Sequence, residues 1–354
     1  MPSLLLKQAD LKRDFYPLTL TREVSDLRIG ILTVKEKWEL LAAQQGIDLQ
    51  WIEEKQDGQA DKVINANLIP GADLNLNEFF SSDSLPQNGL TKVERLWDVI
   101  SINKSATNDD IRLLTFGRMP SEQLSNIRTS GNHPLYISKT ANIEHCTINL
   151  SEGPVYIDDH ALIMDGAMLR GPVYIGKNSV VKMGATIYGG TSIGNDCVIA
   201  GEVKNSIFHS YSNKAHHGYI GDSYIGAWCN LGAGTTCSNL KNTGGKIKVW
   251  DIHSRSYRLA HQKVGIFMGD HVKTAINTSF NSGTVIGPFA NIFANAGLIP
   301  KFIPGFSWGS DGKSIYEMEK LLDEVDRWMM MKNKQLDSET KEIITTLYNK
   351  QQIT

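Results

Sequence analysis

Aliphatic side chains recur at every sixth position for eight consecutive steps: Ile157, Ile163, Leu169, Ile175, Val181, Ile187, Ile193 and Ile199. After an interruption the count resumes at Met268, Thr274, Phe280, Ile286, Ile292 and Leu298. Six is not a whole number of α-helical turns, so a helix would scatter these residues around its axis. An extended chain alternates faces at each residue, so an even spacing keeps them all on one side. The residues between are small or turn-forming, as in Ile175-Gly176-Lys177-Asn178. Short strand, corner, short strand, repeated, predicts a parallel β-helix of hexapeptide repeats. Three hexads make one triangular coil, and stacked coils share a narrow aliphatic core.

The repeat divides the chain. Residues 1–132 read as a small α/β domain, with a helix over 29–41, a strand at Lys62-Val63-Ile64 and turn-rich stretches such as Asn88-Gly89. Residues 133–310 carry the β-helix. It is broken at 241–262 by an insertion long enough to suggest a functional loop, closing over a ligand or extending onto a neighbouring chain. Residues 311–354 have helical spacing: Ile315, Met318, Leu322, Val325 and Trp328 share a face, and Asp337-Ser338 breaks and caps before a second helix. These helices are expected to cap an open end of the β-helix.

Charge is nearly balanced, 36 Lys plus Arg against 38 Asp plus Glu, leaving no basic field for a nucleic-acid backbone. No window reaches the roughly 18 apolar residues of a membrane span. Cys146, Cys197, Cys229 and Cys237 form no CxxC pair, as expected of reduced, mostly buried thiols in a cytoplasmic protein. None of the nine histidines lie five apart, which argues against the zinc site of hexapeptide carbonic anhydrases, and no metal is expected there.

Polar groups crowd around Lys182, Lys204, Lys214, His216, His217, Tyr219, Asn230 and Asn239. In this stretch Ser212-Asn213-Lys214-Ala215-His216-His217-Gly218-Tyr219-Ile220-Gly221-Asp222 and Asn230-Leu231-Gly232-Ala233-Gly234-Thr235-Thr236-Cys237-Ser238-Asn239 resemble the acetyltransferase half of the bifunctional enzymes that make UDP-N-acetylglucosamine. The resemblance implies a left-handed β-helix, a homotrimer and acetyl-CoA as acyl donor. The acceptor it implies is an amino-sugar phosphate or a nucleotide-linked amino sugar. His216 matches the general base, although the local Lys-Ala-x-His text selects His217. Lys182, Lys204, Tyr219 and Asn230 match residues that hold the sugar and its phosphate, with Lys182 where the family has arginine. Asn239, on the substrate side, and the backbone N–H of Ala233, on the acetyl-CoA side, match positions beside the reacting groups.

The chemistry asks for these residue types in its own right. An amine attacks a thioester only when neutral, and an imidazole can take its proton near neutral pH. A backbone N–H in a tight Gly-Ala-Gly turn serves the developing oxyanion. Lysines offer a phosphate point charges in place of bidentate forks. The plainer readings are a solvated turn histidine, solubilising lysines, and corner asparagines such as Asn178 and Asn195 that supply left-handed backbone or stacked ladders. The other histidines, His209 and His271 among them, read as surface or core.

Near the start, Pro17-Leu18-Thr19-Leu20-Thr21-Arg22 resembles the Pro-Leu-Thr-x-x-Arg segment of sugar-1-phosphate nucleotidyltransferases. That family has a glycine-rich phosphate cradle just upstream, whereas residues 7–15 here contain no glycine, and Val24 stands where it has lysine. The front domain therefore reads as a reduced nucleotidyltransferase-like domain. Arg22, Arg28 and Lys37 are its candidate nucleotide-binding residues, or else charges covering the helix. Two further functions stay open. One is a Mg2+-dependent UDP- or dTDP-sugar pyrophosphorylase with the β-helix as trimerisation scaffold; the other is a non-catalytic nucleotide-sugar-binding protein.

Overall fold

The computed structural model describes every residue except 55–57, 59, 87, 123, 294–298 and 352–354, so Leu298 of the repeat lies outside it. From residue 127 onward the chain winds into a parallel β-solenoid. Its first face has nine strands and its second eight; its third has six and continues as the pair Thr236–Cys237 and Ser279–Phe280. Register explains the hexad. Ile157, Ile175 and Ile193 stack on the first face, Ile163, Val181 and Ile199 on the second, and Leu169, Ile187 and Val203 on the third. All are fully buried, each contributing roughly 1.5–3 kcal/mol. The first solenoid strand is Ile127–Gly131, which pairs with Cys146–Leu150 ahead of residue 133.

The front region builds β1 (Ser3–Lys7), α1 (Val34–Gln44), β2 (Gln50–Trp51), β3 (Lys62–Asn65) and α2 (Asn103–Leu114), with β1 parallel to both neighbours. The helix expected from residue 29 begins later. Thr33 caps α1: its hydroxyl accepts the Glu36 N–H at 3.2 Å, while the Glu36 carboxylate accepts the Thr33 N–H at 2.7 Å. Residues 30–32 form a loop because α2 supplies their partners. The Gly30 N–H donates to Asn103 at 3.0 Å, and the Ile31 and Leu32 N–H groups donate to Asp110 at 2.7 and 3.0 Å. Gly30 has φ +79°, and a Cβ there would lie 2.6 Å from the Asp110 carboxylate.

This domain lies on the first face, whose outward residues Tyr174, Ile207, Tyr224, Phe267 and Val285 are buried. The 241–262 insertion covers the junction. Its hairpin, β4 (Lys248–Asp251) and β5 (Ser256–Leu259), buries Val249, and Trp250 stacks on Phe302 at 4.7 Å. His253 pairs with Asp14 at 3.3 Å and His261 with Asp98 at 3.2 Å. The insertion packs between the two domains and braces them.

Left-handed residues close the corners between first and second faces: His160, Asn178, Asp196, Tyr211, Trp228, His271, Phe289 and Phe306 have φ of 55–67°. Asn178 behaves as expected. At Asn195 the left-handed conformation falls to Asp196, and the Asn195 side chain bonds to the neighbouring coil, accepting the Lys177 N–H at 3.1 Å. The later corner side chains stack, Tyr211 on Trp228 at 4.1 Å and Phe289 on Phe306 at 4.9 Å. This ladder directs the C-terminal helices, α3 (Met318–Met330) and α4 (Ser338–Gln351). Where end-capping was expected, α3 runs along the edge. Asn291 donates to Glu324 at 3.0 Å, Lys273 lies 4.8 Å from the Trp328 ring, and Lys332 donates to the Asp196 carbonyl at 2.9 Å. Leu321, Val325 and Ile344 are buried with Phe289 and Phe306, which removes the ladder's aromatic surface from water.

Candidate active site

The candidate residues gather at the edge between second and third faces. Counting hexads back from Ile220 puts Lys214 in a core slot, in register with Ile199. It is 1% exposed, and its ammonium donates to the carbonyls of Ala200 at 2.9 Å and His216 at 2.8 Å. The adjacent coil is drawn in: Val203 follows Ile199 by four positions where six is the rule. Gly201 makes room, since a Cβ there would lie 2.9 Å from the Lys214 Nζ. Burial pushes Lys214 down to about 8. The backbone of His216 is thus fixed from inside the solenoid, and the His217 carbonyl accepts the Gly234 N–H at 3.1 Å. Both imidazoles are exposed. Ala233 holds the same corner one coil on, where its carbonyl accepts the Asn277 N–H at 2.6 Å.

On the adjoining third face Glu202 stacks with Tyr219 and Lys204 with Gly221. A Cβ on Gly221 would meet the Tyr219 hydroxyl at 2.1 Å, so glycine lets the phenol lie across the sheet. That hydroxyl accepts an Asn239 Nδ2–H at 2.9 Å, and the same amide donates to Asp222 at 2.5 Å. Asp222 also accepts from Asn205 at 2.7 Å. With both Asn239 donors engaged, the phenol keeps its own proton for an incoming acceptor. Burial, then the Asp222 charge, pushes the phenol above its usual range, so it stays protonated.

The structure brings His216, His217 and Ala233 together at the corner and joins Tyr219 directly to Asn239. Lys204 stands exposed beside them. Lys182 and Asn230 lie across the edge on the second face, half-buried, with Asn230 stacked between Asn213 and Lys273. Sequence reasoning gave no role to Lys214, Asp222 or Asn205. The hexad count points to Lys214 once it is run backward from Ile220. Nothing local distinguishes Asn205 and Asp222 from ordinary left-handed corners, at φ +43° and +48°.

Arg22, Arg28 and Lys37 are not gathered around an open cleft. Lys37 is 1% exposed and pairs with Asp110, and burial pushes its ammonium below the usual range. Arg22 reaches across to the solenoid, where Nη2 donates to both Asp270 oxygens beside the Thr21 hydroxyl, which donates to Asp270 at 2.6 Å. Arg28 is buried, with Nη1 donating to the Ile31 carbonyl.

Fold and site together define a hexapeptide β-solenoid with an α/β domain docked on one face and polar chemistry on the opposite edge. Direct comparison agrees with the resemblances read above. Residues 4–75 match the sugar nucleotidyl transferase family model. The chain is 37% identical over 95 residues to the bifunctional sugar-1-phosphate nucleotidylyltransferase/acetyltransferase of Sulfurisphaera tokodaii, covering 27% of this chain and 23% of that protein. It is 40% identical over 88 residues to the bifunctional protein GlmU of Methanocaldococcus jannaschii, covering 25% and 21%. The chain thus spans less than a quarter of the length of these curated relatives. Among solved structures, the polysialic-acid-specific acetyltransferase NeuO aligns with 54% of this chain and 88% of its own, at 11% identity and a TM-score of 0.30.

Proposed function

We propose that the chain is an acyl-CoA-dependent N-acyltransferase, in its simplest form an acetyltransferase, acting on an amino-sugar phosphate or nucleotide-linked amino sugar. One observation carries this reading: a solvent-open imidazole, its backbone fixed by a buried lysine, next to a protonated phenol with a free donor. His216 takes the amine proton as nitrogen attacks the thioester carbonyl. The C–N bond forms, the C–S bond breaks, and the thiol leaves with a proton. The Ala233 N–H serves the oxyanion, Tyr219, Asn230 and Asn239 orient the sugar, and Lys182 and Lys204 meet its phosphate. A homotrimer is part of the proposal, a neighbouring copy completing the donor groove at the bare edge.

The test is release of free CoA from acetyl-CoA with glucosamine-1-phosphate and related amines. His216→Ala should lower kcat at least about a hundredfold with the fold intact, and His217→Ala much less. Wild-type rates in both variants would rule out the proposed base. The match over residues 4–75 favours a second reading, sugar-1-phosphate nucleotidyl transfer. It predicts Mg2+-dependent pyrophosphate release from UTP or dTTP, and the inward pairing of Arg22 and Lys37 weighs against it.

A further inference from the structure

The polar surface of the third face does not end at Lys204. Ile187 pairs with Val203 and Leu169 with Ile187, so the outward neighbours Lys204, Tyr188 and Arg170 form one column running towards the first coil. The Tyr188 N–H fits this register, donating to the Val203 carbonyl at 2.8 Å. At the usual interstrand spacing Arg170 stands roughly 10 Å from Lys204, and roughly 14 Å from the coil that carries Tyr219. Met168 faces outward from the strand of Arg170 and is 48% exposed. Tyr188 is half-buried.

Charge gathers beside the same column. Glu152, at the corner where the third face turns into the first, pairs with Lys104 Nζ at 3.0 Å and Arg170 Nε at 3.1 Å. Lys104 belongs to α2 of the front domain and leans over that corner, where a Cβ on Gly190 would lie 3.3 Å from the Lys104 Cβ. Lys104, then Arg170 and Lys204, hold the Glu152 carboxyl below its usual range. Three cations from two domains thus share one carboxylate, and all four side chains are open to solvent. Glu202 stands at the opposite end of the Lys204 strand, towards the His216 edge.

A sugar monophosphate held at Tyr219, Asn239 and Lys204 would leave this surface unused. Beyond Lys204 come a second ammonium, an aromatic ring with a thioether beside it, and a guanidinium. An aromatic ring among cations suits a nucleotide: the base has a π-face to stack, and the cations meet phosphate and oxygen acceptors. We propose that Lys104, Arg170 and Tyr188 extend the acceptor site to a nucleotide, so that the acceptor is a nucleotide-linked amino sugar. Lys204 and Lys104 meet its diphosphate, Tyr188 and Met168 its base, and Arg170 donates to oxygens of the base or ribose. This choice between two acceptor classes rests on the acyl-transfer reading, which sets the sugar over the third face.

The test is calorimetric titration of the full chain with two product-like probes, UDP-N-acetylglucosamine and N-acetylglucosamine-1-phosphate. Stacking tolerates any base, so the uridine compound serves whatever the natural nucleotide. It should bind at least about tenfold more tightly than the sugar phosphate. Tyr188→Leu and Arg170→Met, both on open surface, should each weaken it about tenfold and the sugar phosphate less than about twofold. Equal binding of the two probes would overturn the proposal. So would tight nucleotide binding that persists in the folded variants, which would put the affinity elsewhere, the front domain above all. Acyl transfer is read separately, as CoA release with UDP-glucosamine and with glucosamine-1-phosphate. No release with either amine, while the nucleotide preference holds and is lost in the variants, would sink acyl transfer and leave the nucleotide site standing. Release accompanied by equal binding would do the reverse.

Discussion

Asp270 ties the two domains together through a nearly buried ion pair. It accepts the Thr21 hydroxyl at 2.6 Å and the Ala227 N–H at 2.7 Å, and both its oxygens engage Arg22. The Arg22 and Asp270 side chains are each 10% exposed. Asp270→Ala strands a buried guanidinium and two further donors. Removing one partner of such a pair costs about 3–5 kcal/mol. The rim pair Arg112–Asp73, 56% and 74% exposed, provides the contrast: Asp73→Ala should cost less than about 1 kcal/mol. Arg22→Met combined with Asp270→Leu removes the stranded charge and should recover a sizeable part of the loss. Urea unfolding followed by tryptophan fluorescence measures all three.

The pH dependence adds a second check with a fixed sign. Burial alone would raise the Asp270 carboxyl, but Arg22, then Thr21, holds it below the usual carboxylate range. A group titrating lower in the folded than in the unfolded chain stabilises above its unfolded value, about 4, and that contribution fades as pH falls through the folded value. The penalty of Asp270→Ala should therefore be full at pH 7 and shrink towards pH 3. If it matches that of Asp73→Ala at pH 7, or does not shrink in acid, the reasoning about this joint is wrong.

Two smaller perturbations separate other parts of the argument. Gly221→Ala drives a methyl into the Tyr219 hydroxyl position and should displace the ring from Asn239; acyl transfer should fall about tenfold, read as kcat/KM, with little change in Tm. Lys214→Met tests the buried ammonium: because folding lowers this lysine to about 8, wild-type stability should rise relative to the variant between about pH 8 and 10.5, by up to about 3 kcal/mol. A flat difference in chemical denaturation across that range would show that the ammonium is well solvated.

The solenoid is legible because its rule is local. Extended geometry fixes which residues point inward, and every coil repeats the demand for an aliphatic side chain there. Departures were legible only where they broke that rule, as Lys214 does. What depends on distant partners was not. Residues 30–32 have apolar spacing compatible with helix, yet Ile31 is claimed by an aspartate 79 positions away. The Pro-Leu-Thr-x-x-Arg text points to phosphate binding, but the carboxylate that Arg22 engages lies 248 positions along the chain. The apolar stripe of α3 predicts burial without saying against what. Its target exists only once coils stack Tyr211, Trp228, Phe289 and Phe306 at one corner.

The appendages together explain why chemistry is expected at only one edge of the prism. The front domain and the β4–β5 hairpin cover the first face and its junction with the third. α3 and α4 cover the edge between first and second faces. The remaining edge carries His216, and there Met183 and Ile276 are both 66% exposed, on coils either side of it. Each lies two coils from the His216 coil, roughly 9–10 Å along the stack. In the proposed trimer they are the groups that a neighbouring copy or the pantetheine arm of the donor would cover. The elements added to the solenoid thus close two edges and leave open the one where a substrate, a donor and a second subunit would have to meet.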